Sequence, residues 1–206
     1  MQKIITYIYK VGRRTLIFLG YVIDHIATIT IIYCNNVHFK KIRTNGIPYV
    51  SVARGGSFSL GDNFIMNNNI QGNPIGRVQR CSFVVNRDAV LVIGDNVGIS
   101  STAIVAHKEI RIGNNVKIGG GVCIYDTDFH SIDASIRNDK KMDHKFENKQ
   151  RVTIGDNVFI GAHSTILKGV NLGENSVIGA CSVITKNIPA NEIWAGNPAK
   201  IIKKIG

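Results

Sequence analysis

The segment Tyr125-Asp126-Thr127-Asp128-Phe129-His130-Ser131-Ile132-Asp133 brings three carboxylates and one imidazole into a single short stretch. An imidazole with an unperturbed pKa near ~6.5 is largely neutral at neutral pH. It can take a proton from a weakly acidic group, help worth roughly 10²–10⁴ in rate. A carboxylate on the second ring nitrogen would fix the tautomer and stabilise the imidazolium. Asp128, two residues away, shares a face with His130 if the chain is extended, and Asp126 reaches it through a corner; the residues alone do not separate the two. A lone histidine in a polar loop is also commonly a solvated turn residue, so the setting has to decide.

That setting is a repeat, and the segment breaks it. An aliphatic residue returns every six positions at Ile93, Ile99 and Val105, restarts after one extra residue at Ile112, Ile118 and Ile124, then runs again through Ile154, Ile160, Ile166, Leu172, Ile178 and Ile184. The segments IGDNVG, IGNNVK, IGDNVF and LGENSV are near-copies, and LGDNFI at 60–65 is an earlier, less regular one. A helix returns its apolar stripe every three or four residues and a strand alternates, so neither alone gives this period. A short strand with an inward aliphatic, followed by a corner that Gly or Asn tolerates, does. Three such sides close one turn of a triangular coil, and stacked turns bury a continuous aliphatic column.

The expected fold is therefore all-β, a parallel β-helix of hexapeptide repeats over residues 56–189. Residues 1–55 form an N-terminal helical and extended segment packed on the body, residues 130–153 an extruded loop, and residues 190–206 a C-terminal cap. The loop is rich in charge, and loops on a rigid scaffold are where function concentrates. Within residues 1–33, apolar positions at Ile4, Ile5, Ile8, Val11, Leu16, Leu19, Val22, Ile23 and Ile26 predict an amphipathic helix. Asp24 and His25 interrupt a membrane-spanning reading, and no small-residue cleavage site follows Arg13-Arg14; a helix lying on a bilayer surface is the alternative to packing.

Composition narrows the classes further. The four cysteines lie far apart with no CxxC pair, which fits a reduced, cytoplasmic chain, at the inner membrane surface if the helix lies on a bilayer. Lys and Arg number 25 against 14 Asp and Glu, favouring anionic partners, yet the excess is spread along the chain and no nucleic-acid motif accompanies it.

The run IGDNVFIGAHSTILKGVNLGENSVIGACSVITKNIP, followed by NEIWAGNPAKIIKKI, resembles the hexapeptide-repeat acyltransferases, whose β-helix is left-handed. The likeness is to the galactoside, maltose and nodulation-type O-acetyltransferases and their capsule and lipopolysaccharide relatives, over roughly residues 60–204. It implies a homotrimer with active sites between subunits, acetyl-CoA as co-substrate, a sugar hydroxyl as acceptor, no required metal, and His130 as general base with Asp126 or Asp128 behind it. It also implies that the pantetheine arm follows the backbone at Ala162 and Ala180, and that Thr185, Lys186, Lys200 and Lys203 meet coenzyme A. For the acceptor, Ser100 and Ser101 stand where the galactoside branch has asparagine. A vertical row of His107, Asp126, Lys168 and Lys186 follows from stacking the repeats, with His107 beside the cleft on the acceptor side.

Other readings are weaker. Acetylation of serine or a xenobiotic remains an alternative, although the serine enzymes carry a large helical N-terminal domain that residues 1–55 do not supply. A zinc hydratase on the same coil needs two histidines five residues apart, a spacing absent among the six here. A non-catalytic scaffold predicts no coenzyme binding.

Overall fold

The computed structural model describes residues 1–75 and 79–206. Among these, strands pair with the third strand along in parallel, which builds a three-sided coil. One face has eight strands, beginning at Ile42–Asn45; a second has six, from Tyr49–Val52 to Val183–Ile184; the third has five, from Ser57–Leu60 to Asn171–Leu172. Cross-strand register stacks like on like. On the six-stranded face Ile104, Ile124, Ile166 and Ile184 lie in one column, and on the five-stranded face Ile93, Ile112, Ile154 and Leu172 do so. All eight are buried, each worth roughly 1.5–3 kcal/mol of transfer free energy.

The repeat's polar residues make the corners. Asn96, Asn115, Asn157 and Asn175 adopt left-handed backbone with φ between 57° and 59°, which Asn tolerates better than other side-chain-bearing residues. Their amides ladder from turn to turn, Asn157 Nδ2 donating to Asn175 Oδ1 at 3.1 Å and Asn175 Nδ2 to Asn191 Oδ1 at 3.0 Å. Glycine's role in the hexad is different. A Cβ on Gly94 would fall 2.7 Å from the Gly113 backbone of the next turn, so glycine is needed here for close stacking and not for a special φ.

Two boundaries and one register differ from the sequence reading. The coil begins at Ile42 rather than 56, because its first turns use four-residue strands with two inward side chains each, a pattern that hides the six-residue period. Phe58, Phe64 and Phe83 fill this wider end, with ring centroids 5.2 and 6.3 Å apart. The loop spans 126–151, since the coil ends at Tyr125 and resumes at Val152, which is buried opposite Ile110. Finally, Ile104 and Ala106 rather than Val105 point inward from their strand, because the corner before it is one residue shorter. The C-terminal strands Glu192–Gly196 and Ala199–Lys204 pair antiparallel and close the eight-stranded face. Buried Trp194 plugs that end, its Nε1 donating to Glu192 Oε2 at 2.8 Å.

Helix α1 (Gln2–Cys34) packs along its second half only. Asp24 Oδ2 accepts the Gly46 N–H at 2.9 Å, and Thr28 and Ile32 are buried against the coil. Residues 1–16 are exposed throughout, so within the segment expected to pack on the body the first half of the helix stands free.

Candidate functional site

The loop leaves the corner between the six- and five-stranded faces through a short antiparallel neck. Thr127 bridges Lys149, the Asp128 N–H donates to Asn148 O at 3.1 Å, and the Gln150 N–H donates to Asp126 O at 2.8 Å. The fully buried Asp126 carboxylate accepts the backbone N–H groups of His107, Lys108 and Glu109, each at 2.7 Å. It pins the neck to the previous turn and has no contact with His130.

Beyond the neck, Phe129 takes a left-handed φ of 64°, its N–H bonded to Thr127 Oγ1 at 3.0 Å. This reversal removes the extended geometry on which a shared face for Asp128 and His130 depended. Asp128 turns instead to Lys168, with Oδ1 2.9 Å from Nζ. The carboxylate that meets His130 comes from within the loop: Asp143 Oδ2 lies 2.7 Å from His130 Nδ1. Asp143 Oδ1 also accepts the Ser131 N–H at 2.6 Å. The expectation of Asp126 or Asp128 behind the imidazole is thus replaced by Asp143.

Asp143 is delivered by two small helices. In α2 (Ala134–Arg137) the N-cap is Asp133, and in α3 (Lys140–Lys145) it is Asp139, whose side chain accepts from Lys141 N and Met142 N. Asp143 lies one turn after that cap, on the inner face. Arg137 Nη1 donates to Ser131 O at 2.8 Å and Ile132 O at 3.0 Å, tying the start of the loop to the same unit. Hydrogen bonds from His130 and the Ser131 N–H hold the Asp143 carboxyl below its ordinary pKa. An ionised carboxylate at Nδ1 requires the proton there, leaving Nε2 as the acceptor in the neutral ring. Asp143 is 8% exposed and His130 64%, so a buried anchor holds a ring that faces outward. The sequence signal for Asp143 was an aspartate four residues after a helix-capping aspartate, legible only once the loop is seen to be helical.

A second histidine–carboxylate pair stands at the neck. His107 Nδ1 lies 3.1 Å from Glu147 Oε2, and Lys149 also pairs with Glu147. Burial pushes the Glu147 carboxyl up, but Lys149 and His107 more than offset it and leave it lowered. The His107 ring meets Phe129 edge-on at 5.6 Å, so this pair buttresses the residue that precedes His130. The row read from the repeat holds for Asp126, Lys168 and Lys186; His107 lies opposite Thr127 because of the Ile104 register.

The remaining site residues divide between the two edges of the six-stranded face and the final strand of the eight-stranded one. Thr185 and Lys186 are exposed at the corner shared with Asp126 and Lys168, with Lys186 Nζ 5.2 Å from the Trp194 ring centroid. Ala162 and Ala180 stack at the opposite corner, where the Cys181 N–H donates to Ala162 O at 2.8 Å. Ser100 and Ser101 belong to that same corner and are buried, Ser100 Oγ accepting from Asn67 Nδ2 at 3.1 Å. Lys200 and Lys203 are exposed on the final strand, opposite Ala195 and Ile193. Within one chain His130 and the Ala162–Ala180 edge are separated by the width of a face.

A three-sided hexapeptide coil carrying a corner loop with a histidine–carboxylate pair defines a recognisable class, and the comparisons identify it. Residues 151–186 match the family described as the hexapeptide repeat of succinyl-transferase. WbbJ of Escherichia coli K12, named as a lipopolysaccharide biosynthesis O-acetyl transferase, is 31% identical over 172 residues, covering 82% of each chain. Protein CapG of Staphylococcus aureus is 50% identical over 96 residues, 47% of this chain and 53% of CapG. A solved galactoside acetyltransferase in complex with coenzyme A superposes with a TM-score of 0.53 at 29% identity, covering 82% of this chain and 64% of that one. The chain belongs to the hexapeptide-repeat acetyltransferase family. For two of the curated relatives, CapG among them, the match spans only about half of the relative, 53% and 56%.

Proposed function

We propose that this chain is an acetyl-CoA-dependent O-acetyltransferase that modifies a sugar hydroxyl in surface-polysaccharide synthesis, with His130 as general base. The observation that carries this reading is the His130–Asp143 pair at 2.7 Å, with the ring exposed at the coil's corner. Nε2 takes the acceptor hydroxyl proton as that oxygen attacks the thioester carbonyl carbon. The tetrahedral intermediate collapses, the carbon–sulfur bond breaks, and the imidazolium returns the proton to the departing thiolate. The products are an acetyl ester and free coenzyme A. Asp143 holds the tautomer and stabilises the imidazolium while the charge is present.

Donor residues follow from the resemblance and from exposure. The backbone at Ala162 and Ala180 offers a small-residue edge for the pantetheine arm. Thr185, Lys186, Lys200 and Lys203 offer a hydroxyl and cations for the phosphates, and Ser100 lines the acceptor side. Lysine acts there as a point charge, so Lys200→Ala with Lys203→Ala should raise the apparent donor KM several-fold with kcat little changed. A fall confined to kcat would argue against a phosphate role.

A homotrimer is part of the proposal. Outward positions on the six-stranded face include Val84, Ala103, Val105, Cys123, Tyr125 and Val183, and none is charged, whereas the five-stranded face displays Glu109 and Arg111. Burying that uncharged face against a second copy would bring the His130 edge of one chain towards the Ala162–Ala180 edge of its neighbour. The left-handed sense of the coil is inferred with the family. The test is a mass-shift screen of acetyl-CoA against activated sugars and lipid-linked glycans. One acetyl added to a sugar is expected; coenzyme binding without transfer to any sugar hydroxyl would overturn the acceptor assignment.

A further inference from the structure

Helix α1 is larger than its packing requires. Its coil-facing side runs through Asp24, Thr28 and Ile32. The side turned away carries Ile4, Ile8, Leu16, Leu19, Ile23 and Ile26, spaced by three, four or multiples of these, so one apolar stripe runs almost the full length of the helix. These residues are 51–72% exposed, and Val11 and Val22 join them at 45% and 39%. No charged residue lies on the stripe. The two threonines within it satisfy their hydroxyls internally, Thr15 Oγ1 donating to Val11 O at 3.2 Å and Thr30 Oγ1 to Ile26 O at 3.0 Å.

The charges of the helix sit elsewhere. Lys3, Lys10, Arg13 and Arg14 are exposed and cluster, by helical spacing, on the coil-facing side of the projecting first half. The sole acidic residue of the helix, Asp24, is engaged with the Gly46 N–H. The free surface of α1 is therefore apolar on one side and cationic on the other. An interfacial helix has this form: the stripe sinks into the acyl boundary while Lys and Arg stay at headgroup level. The packing favours an interfacial over a spanning role. By length and composition alone α1 could cross a bilayer, but Asp24, Thr28 and Ile32 tie its most apolar half to the coil and its free first half carries four cations.

We propose that α1 docks the protein on an anionic lipid bilayer, lying in the plane of the interface with the coil standing in water above it. The cations argue for a lipid surface over a second copy of this chain: anionic headgroups would neutralise them, whereas a second copy of α1 offers no acidic residue besides the engaged Asp24. This docking is independent of the transfer reaction.

The test is co-sedimentation of the full chain with phosphatidylglycerol–phosphatidylcholine vesicles and with phosphatidylcholine alone. Binding to the anionic vesicles, weakened by salt, is expected. Arg13→Gln with Arg14→Gln should weaken it roughly 30-fold. Leu19→Ser with Ile23→Ser should abolish it while the circular dichroism of the coil and acetyl-CoA binding persist, so that a loss of lipid binding is distinguished from a loss of the donor site. Failure of the full chain to bind anionic vesicles overturns the proposal, as does equal binding by the serine variant or equal binding to both vesicle types. A drop in oligomer mass in the serine variant, with no lipid binding by the parent, would assign the stripe to a second copy instead.

Discussion

At Phe129 a left-handed φ of 64° puts a bulky side chain in backbone that costs roughly 1–3 kcal/mol, and the surrounding contacts hold it there. The Thr127 hydroxyl accepts its N–H, and the rings of Tyr125 and His107 pack against it at 5.2 and 5.6 Å. That single residue decides which carboxylate serves His130, and the choice has a pH signature. The Asp143 pKa is lowered in the fold by His130 and the Ser131 N–H, so its stabilisation is complete above the ordinary carboxylate value of 3.8 and fades as pH falls through the lower folded value. Hydrogen exchange at the Ser131 amide should lose its protection on acidification below about pH 4, and Asp143→Asn should remove that dependence. Protection that survives strong acid would contradict the linkage. His130 itself was legible in the sequence, because it falls where an inward aliphatic is due. Its partner was not, because a left-handed phenylalanine is invisible to spacing arguments that assume extended chain.

The elements divide in the same way between what repeats and what does not. From Ile112 onward each hexad opens on an inward aliphatic, and the left-handed corners fall on Asn115, Asn157 and Asn175 on one edge and on small or polar residues such as Gly121, His163 and Gly169 on the others, so the period could be read directly. The first turns escaped because Phe58, Phe64 and Phe83 with their alternating partners fill a wider section, and an alternating pattern reads as ordinary strand. Within the loop the decisive element is α3, six residues held by the Asp139 cap. Asp139→Ala should cost about 1 kcal/mol locally and lower turnover by loosening Asp143, while Asp139→Ser restores most of it. Kinetics on the three proteins checks this, with kcat expected to fall more than donor affinity. An alanine variant with unimpaired kcat would mean that α3 does not depend on its cap.

On the scale of the molecule, the coil is a rigid prism whose three outer faces differ in chemistry. The uncharged six-stranded face separates the His130 corner from the Ala162–Ala180 corner, so the proposed site is complete only if copies meet across that face. Val105→Lys, at an outward half-buried position, should dissociate the assembly and remove transfer while leaving the coil folded. Light scattering with an activity assay reads both effects, and an active monomer would overturn the shared site. The same face was hidden from the sequence, where Val105 was counted as a core residue; the five-residue step from Ile99 to Ile104 turns it outward.

The most direct measurement is single-turnover acetyl transfer by His130→Ala, Asp143→Asn and the double variant, with acetyl-CoA affinity followed in parallel. If His130 is the base and Asp143 its anchor, His130→Ala loses roughly 10²–10⁴ in rate and Asp143→Asn a large part of the same factor. The double variant is then no slower than His130→Ala alone, with donor affinity unchanged throughout. Transfer by His130→Ala at the parent rate would contradict that assignment.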